Sequence, residues 1–244
     1  MDIDLFYGDF RDRIKSLDKN SVDFIFTDPP YGININSNGD MIHRRECIFN
    51  KKKETPDARK IKNDDDTGDI MRDFFKESSR LLKPGSVLCC CAGGGGAEPV
   101  FAKYSKLMEE FLEFKQMIVW DKGKIGMGWH YRRSYEVILI GVKKGSKCKW
   151  FDNSHKIENV IRPGDFGIKK IIPKKNQHPT AKPPELAAHF IKLHTQPGEI
   201  VFDPFMGGGS TGVACMQTGR NFIGCELDPV FYKMSKKNIQ ATEN

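Results

Sequence analysis

Four consecutive residues, Asp28, Pro29, Pro30 and Tyr31, place an acid beside a rigid backbone and an aromatic ring. They follow residues 22–27 (VDFIFT), a short apolar run rich in β-forming residues, as in a strand covered on both faces. Both prolines have a fixed φ and no N–H, so the stretch is stiff and offers carbonyl oxygens but few donors. Because open α/β sheets bind ligands where their strands end, we interpret Asp28 as part of a ligand-binding site; a plain strand-ending turn is the alternative.

A second motif follows residues 199–203 (EIVFD), which also have the pattern of a strand. Gly207, Gly209 and Gly212 satisfy the spacing G-x-G-x-x-G, which permits a tight turn and a close approach of the backbone to a ligand. No Gly-Lys-Ser/Thr follows, so the loop is not of the type that binds nucleoside triphosphates.

The residues around these glycines indicate which ligand they hold. Ser210 or Thr211 can cap the helix that follows, and Glu226 ends the next strand, where a carboxylate can bind a ribose diol. An acid at Asp203 can contact an ammonium group, while the helix N-terminus favours a carboxylate. S-adenosylmethionine carries all three groups, so we predict this cofactor.

The composition limits the class of protein. The chain has 244 residues, 39% hydrophobic and 29% charged, which suffices for one large α/β domain. No apolar run approaches the roughly 20 residues that span a membrane, and the acidic N-terminal stretch is unlike a secretory signal. The seven cysteines show no CxxC spacing and the six histidines are scattered, so we expect reduced buried thiols, a cytoplasmic location and no metal site.

Positive charge is concentrated in one segment. The net charge is +7, and residues 143–182 contain eleven Lys and Arg against three Asp and Glu, so the rest of the chain is nearly neutral. This distribution indicates a polyanionic partner that binds mainly through this segment. A solvated loop rich in lysine is the alternative.

Strand and helix patterns alternate along the chain, which predicts a mostly parallel sheet with helices on both faces. We predict strands over residues 3–8, 22–27, 86–91, 114–120, 135–142, 199–203 and 221–226, and helices over residues 69–82, 98–112, 184–195, 210–218 and 229–240. Residues 33–66 form a long polar stretch with the character of a lid, and residues 143–180 form the basic stretch.

With D-P-P-Y and D-P-F-M-G-G-G-S-T-G both present, the chain resembles the β-class amino-DNA methyltransferases, which act on adenine N6 or cytosine N4. The order also matches this family, because the catalytic motif comes first and the cofactor motif last. The resemblance implies one methyltransferase domain over residues 1–244, with a catalytic half (1–142, including 33–66), a target-recognition insertion (143–176) and a cofactor half (177–244). Its fold would be a circularly permuted Rossmann-like sheet of seven strands, in which strand 3–8 completes the cofactor half.

The resemblance also implies roles for individual residues. It makes Asp28, Pro29, Pro30 and Tyr31 catalytic and places Asp9 beside the adenine ring of the cofactor. Residues 177–194 (QHPTAKPPELAAHFIKLH) resemble the family segment that lines the methionine end of the cofactor. The complete cofactor-binding set is Asp9, Asp28, His178, Thr180, Lys182, Asp203, Pro204, Phe205, Gly207, Gly209, Ser210, Thr211, Glu226 and Leu227.

Double-stranded DNA is the expected partner, and we expect a monomer or a homodimer without a metal. The predicted DNA contacts are Arg132, Arg133, Lys169, Lys170, Lys174 and Lys175. Arg132, Arg133 and Glu136 could instead flank a strand and pair with each other, and Trp129 and Tyr131 could pack in the core or contact the base. The basic residues within 43–53 could order on DNA or do nothing specific.

An acid rather than serine at the first motif position favours adenine N6 over cytosine N4 within this family. Asp28 and the Pro29 carbonyl would accept the two N–H groups of an amine made tetrahedral, and Tyr31 would stack on a base flipped out of the duplex. The alternatives are an RNA or protein amine methyltransferase, a nicotinamide-dependent oxidoreductase, a non-catalytic nucleic-acid-binding module and an inactive subunit.

Overall fold

The computed structural model describes residues 1–31, 67–93, 100–126, 130–168 and 182–242. The strands in these ranges are β1 (Ile3–Tyr7), β2 (Val22–Thr27), β3 (Leu82–Ala92), β4 (Leu112–Asp121), β5 (Tyr135–Lys143), β6 (Val160–Ile161), β7 (Ile200–Asp203) and β8 (Asn221–Glu226). They form one sheet in the order β1-β8-β7-β2-β3-β5-β4-β6, in which β5 runs antiparallel to both of its neighbours. Residues 32–66, 94–99, 127–129, 169–181 and 243–244 lie outside the described residues, and with them the predicted lid-like stretch 33–66.

Helices cover both faces of the sheet, as predicted. They are α1 (Phe10–Arg13), α2 (Thr67–Leu81), α3 (Val100–Phe111), α4 (Pro184–His194), α5 (Ser210–Thr218) and α6 (Pro229–Gln240). The first three pack on one face and the last three on the other. None of the helices in the described ranges is long and apolar enough to cross a membrane.

The three consecutive cysteines show how β3 serves both cores. Cys89 and Cys91 pack with α4, whereas Cys90 packs with α2 and α3, because successive side chains of a strand point to opposite faces. All three are fully buried, and every cysteine in the described ranges carries a free thiol. The prediction that these three consecutive thiols are buried is therefore confirmed.

The predicted number of seven strands was wrong, because the described part of the sheet contains eight. The additional strand, β6, consists of Val160 and Ile161, which pair in parallel with Val119 and Trp120 of β4. Two apolar residues within a polar, basic stretch are too short to give a period-2 pattern, so the sequence carried no signal for it. All seven predicted strands are present.

The predicted circular permutation is confirmed. β1 pairs in parallel with β8, with Ile3 opposite Phe222 and Tyr7 opposite Glu226. After β7 the chain crosses to β8 on one side, whereas after β2 it crosses to β3 on the other side. The strand order therefore reverses between β7 and β2, and in an open α/β sheet the ligand-binding crevice lies at such a point.

At the opposite, amino edge of the sheet, where the parallel strands begin, a buried acid links neighbouring elements. Asp23 accepts hydrogen bonds from Lys83 (2.7 Å), Lys149 (3.2 Å) and the backbone N–H of Ile200 (3.0 Å). Lys149, together with Lys143 on Leu82 O, belongs to the basic segment, yet both stabilise the fold here. The first lysines of that segment thus lie at the edge away from Asp28.

Candidate active site

The carboxyl ends of the parallel strands bring the predicted catalytic and cofactor residues to one edge of the sheet. Asp28 follows β2, Asp203 ends β7 and Glu226 ends β8. Asp9 lies just beyond β1, whose last residue faces Glu226. Because β5 is antiparallel to β3, its first residues lie at this same edge, and Glu136 is one of them.

The Asp28 carboxylate is held from two sides. One oxygen accepts a hydrogen bond from the hydroxyl of Tyr31, and the other binds the ammonium of Lys182. The Asp28 side chain is 21% exposed, so it can still be reached from the crevice. A carboxylate has about four lone-pair positions, which leaves room for a further donor.

Lys182 lies between two acids. Its side chain is 5% exposed, and its Nζ is 3.2 Å from Glu136 Oε2 as well as bound to Asp28. Glu136 Oε1 in turn accepts a hydrogen bond from Lys122 at 3.0 Å. We call Asp28, Lys182, Glu136 and Lys122 the charge cluster; sequence reasoning left Glu136 open and missed Lys122.

Lys182 and Glu136 both remain charged. Burial alone would lower the pKa of Lys182, but the facing carboxylates of Asp28 and Glu136 raise it well above its ordinary value. Burial opposes the charged form of Glu136 too, and the ammonium groups of Lys182 and Lys122 still lower its pKa. The cluster therefore contains two ammonium groups and the Glu136 carboxylate around Asp28.

The Asp28–Tyr31 segment is also fixed at its far end. The ring of Tyr31 packs against Gly93 so closely that a Cβ there would lie 2.7 Å from Tyr31 Cε2. Burial and the neighbouring Asp28 raise the pKa of Tyr31, so its hydroxyl stays protonated and donates. The Pro30 carbonyl accepts a hydrogen bond of 2.5 Å from Tyr104, a residue that no sequence pattern singled out.

Asp203 connects the catalytic strand to the cofactor strand. Its two oxygens accept hydrogen bonds of 2.6 Å each from Thr27, at the end of β2, and Thr211, in the first turn of α5. It is 3% exposed, and burial raises its pKa to about 6. Pro204 follows it, and Phe205 packs edge-on against Phe10, with 5.0 Å between ring centroids.

The glycine loop brings backbone close to backbone. Gly209 has φ +82°, and a Cβ on it would lie 2.9 Å from the Cα of Ser235. It is also the residue that caps α5, with no side-chain hydrogen bond, while Thr211 is bound to Asp203 instead. The prediction that Ser210 or Thr211 caps this helix was therefore wrong, because the helix begins at Ser210 itself.

The acids beside this loop suit an adenosine-bearing ligand. Glu226 is oriented by the N–H groups of Gly207 (2.8 Å) and Asp228 (2.7 Å), and burial raises its pKa. Leu227 lies between them, half-buried. Asp9 caps α1 and binds Arg11 Nε at 3.0 Å. Asp203, the acid predicted to meet the ammonium group, is engaged by Thr27 and Thr211, so the cofactor contacts of these acids stay predictions.

The remaining predicted residues divide into two groups. Outside the described residues lie His178, Thr180, Trp129, Lys169, Lys170, Lys174, Lys175 and the basic residues within 43–53. Of the others, Arg132 is exposed and donates to Gly126 O over 2.8 Å, next to Arg133. Tyr131 is 86% exposed, so the alternative that it packs in the core was wrong. The described ranges contain no His/Cys/Asp/Glu group able to hold a metal.

A crevice at the strand-order reversal, with a glycine loop and an acid at the end of β8, is the arrangement of α/β folds that bind adenosine-containing cofactors. A family model described as DNA methylase, for N6 and N4 methyltransferases, matches residues 22–237, and the chain belongs to this family of DNA amino-methyltransferases. It uses S-adenosylmethionine, which supplies an electrophilic methyl group. The nicotinamide-dependent alternative is thereby excluded.

Known proteins with a similar sequence or fold include enzymes that act on either base. The DNA adenine methyltransferase YhdJ of Escherichia coli is 25% identical over 269 residues, covering 98% of this chain and 83% of that protein. The crystal structure of the M1.HpyAVI–SAM complex has a TM-score of 0.64 at 26% identity and covers 97% of this chain and 99% of that chain. The PvuII DNA methyltransferase, described as cytosine-N4-specific, has a TM-score of 0.71 at 16% identity, covering 98% of this chain and 86% of that one, a likeness of fold alone.

Proposed function

We propose that this protein transfers a methyl group from S-adenosylmethionine to N6 of adenine in double-stranded DNA. The observation that carries the proposal is the position of the Asp28 carboxylate, at the crevice between β2 and β7 and on the same edge as Asp203 and Glu226. An amine bound to Asp28 would therefore be next to the cofactor loop. The exocyclic amine is a weak nucleophile, so the acceptor that faces it has to act without first reorganising.

The protein's own residues supply this rigid acceptor. Asp28 accepts one N–H of the amine and stabilises the positive charge that develops on the nitrogen. The buried ring of Pro29 holds the second acceptor, its carbonyl oxygen, in place. Tyr31, next to Gly93, offers a ring on which the extracted base stacks, a contact worth about 1–3 kcal/mol.

The target base reaches Asp28 only after it is flipped out of the duplex. The segment between β4 and β5 flanks the same edge, and among its described residues Lys122, Lys124, Arg132 and Arg133 are basic and none is acidic. Ile125 and Tyr131 are 72% and 86% exposed on it. We therefore propose that the duplex lies against the segment between β4 and β5. The basic segment that contains Lys169 and Lys170 would help to neutralise the DNA phosphates.

Adenine is favoured over cytosine by two points. Asp28 occupies the position at which members of the family that act on cytosine tend to carry serine, and the adenine methyltransferase YhdJ is similar over nearly the whole chain. Cytosine N4 is the second candidate, because the PvuII enzyme shares the fold. The two bases differ in size, but their exocyclic amines require the same pair of hydrogen-bond acceptors.

Mass spectrometry of the modified nucleosides distinguishes these candidates. Purified protein is incubated with tritiated S-adenosylmethionine and with duplex DNA from a host that lacks methyltransferases, and the DNA is then hydrolysed. We expect label in N6-methyldeoxyadenosine and none in N4-methyldeoxycytidine; the reverse distribution would establish the second candidate. Asp28→Ala abolishes labelling while calorimetry still detects cofactor binding, and Asp18→Ala, an exposed acid, serves as the matched control.

A further inference from the structure

Lys182 is bound to the catalytic acid itself. The family resemblance implied a place at the methionine end of the cofactor, yet its buried ammonium binds Asp28 and lies 3.2 Å from Glu136. Both partners are carboxylates, and the side chain is 5% exposed. The positive charge of a lysine fixed in this way acts mainly on Asp28 and less on the cofactor.

The sharing of this ammonium matters for the chemistry. A lysine paired with Asp28 alone would neutralise the charge that has to attract the developing cation on the amine. The negative charge of Glu136 offsets part of the positive potential that Lys182 exerts at Asp28. Lys122 in turn donates a hydrogen bond of 3.0 Å to Glu136 from its other side.

We propose that Lys182 and Glu136 are positioning residues that orient the Asp28 carboxylate and act on its charge in opposite directions. This inference rests on the proposed function. Lys182 fixes the direction of the Asp28 carboxylate, whereas Glu136 keeps Asp28 a strong acceptor. Because Lys182 is itself protonated, it takes no proton from the methylated amine, and that proton goes to Asp28 or to water.

Other groups face Asp28 from neighbouring strands but do not replace these two. Cys90 and Cys91 of β3 lie nearby, and burial raises the pKa of both thiols, so they stay neutral. Asp203 of β7 is engaged by two threonine hydroxyls, and Tyr31 donates to Asp28 as a neutral phenol. Lys182 and Glu136 are therefore the charged groups to vary.

The test compares the pH dependence of single-turnover methylation in variants with opposite expected shifts. In Lys182→Met, the midpoint of the acid limb moves up by about 1–3 pH units, as is typical when a cation beside a carboxylate is removed. In Glu136→Gln, the midpoint moves down and the plateau rate falls, because Lys182 then acts on Asp28 alone. Lys182→Arg restores the wild-type midpoint. The affinity for S-adenosylmethionine stays within about twofold in all three, because the charge acts on Asp28.

The control is Lys115→Met, which breaks an exposed Lys–Glu pair of 2.5 Å with Glu113 at the amino edge and leaves the profile unchanged. Shifts of the same sign in both variants, or a tenfold loss of cofactor affinity in Lys182→Met with no shift, would overturn the inference. If Lys182→Met does not fold, the downward shift in Glu136→Gln decides. The pH titration of the ¹³C-labelled Asp28 carboxyl by NMR gives the same comparison without any turnover, so it tests the inference even if the wild-type protein proves not to methylate DNA.

Discussion

The hydroxyl of Tyr104, on helix α3, donates a hydrogen bond of 2.5 Å to the carbonyl oxygen of Pro30. Tyr104 is fully buried, and it reaches the segment from the face opposite the cofactor helices. Thr27, immediately before the segment, is bound to Asp203. The rigid proline segment is therefore held near both ends, by one hydrogen bond to the catalytic half and one to the cofactor half of the protein.

Removing the Tyr104 hydroxyl tests whether this anchor positions the acceptors. In Tyr104→Phe, the single-turnover rate of methylation should fall about 10- to 100-fold, because small displacements of reacting groups are costly, while cofactor affinity stays constant. The free energy of unfolding should fall by about 1 kcal/mol for the lost hydrogen bond. Ser105→Ala, which removes a hydroxyl from the same helix, is the control. An unchanged rate in Tyr104→Phe would contradict a positioning role.

The carboxylate of Glu226 should control cofactor affinity. Glu226→Gln should raise the dissociation constant for S-adenosylmethionine about tenfold, equal to about 1.4 kcal/mol, because one acceptor for the ribose becomes a donor. Burial raises the pKa of Glu226, so wild-type affinity should weaken on acidification at a higher pH than it would for an ordinary glutamate. Isothermal calorimetry measures both effects. Glu199→Gln serves as the control, and a dissociation constant for Glu226→Gln equal to the wild-type value would refute this role.

Gly212 should tolerate no side chain. A Cβ there would lie 2.4 Å from Ile239 Cδ1 and 2.9 Å from Phe222 Cε1, so Gly212→Ala forces α5 away from α6 and the sheet. We expect a loss of about 1–3 kcal/mol in unfolding free energy, measured by urea denaturation. Gly68→Ala, in α2 with nothing within 4 Å of its added Cβ, should be neutral or stabilising by up to about 1 kcal/mol. Equal stability of the two variants would show that the contact relaxes freely.

Asp23 should make the fold sensitive to acid. Burial opposes its charge, but the bonds from Lys83, Ile200 and Lys149 lower its pKa in the folded protein. Its contribution to stability is therefore complete above about pH 4, the unfolded value, and is lost as the pH falls through the lower folded value. Asp23→Asn should cost about 2 kcal/mol at pH 7, and the difference from wild type should shrink towards pH 3. A difference that is constant with pH would exclude this linkage.

The sequence predicted the elements of the fold well and the contacts of the site only in part. Runs such as VDFIFT and the helix over 210–218 have periods and boundaries that are local properties, so β2 and α5 lie where they were expected. β6 escaped because two residues carry no period. Local patterns also say nothing about which distant side chains meet.

The charge cluster illustrates this limit. Lys182 was chosen through a family motif, and no local feature indicates that its ammonium would bind Asp28, 154 positions earlier. Glu136 remained undecided because a flanking acid and a site acid look alike in one dimension. Tyr104 is one of several aromatic residues on amphipathic helices. Only the packing of α3 beside Pro30, which brings its hydroxyl to the Pro30 carbonyl, distinguishes it.

The pairing of β1 with β8 has a consequence for the way this protein is made. During translation, β1 leaves the ribosome long before β8, the neighbour to which it hydrogen-bonds. The catalytic half can assemble its own strands earlier, but β1 waits as an unpaired edge until the chain has been synthesised past Glu226. We therefore expect nascent chains stalled before that point to leave their N-terminal residues open to proteolysis, and a fully released chain to protect them.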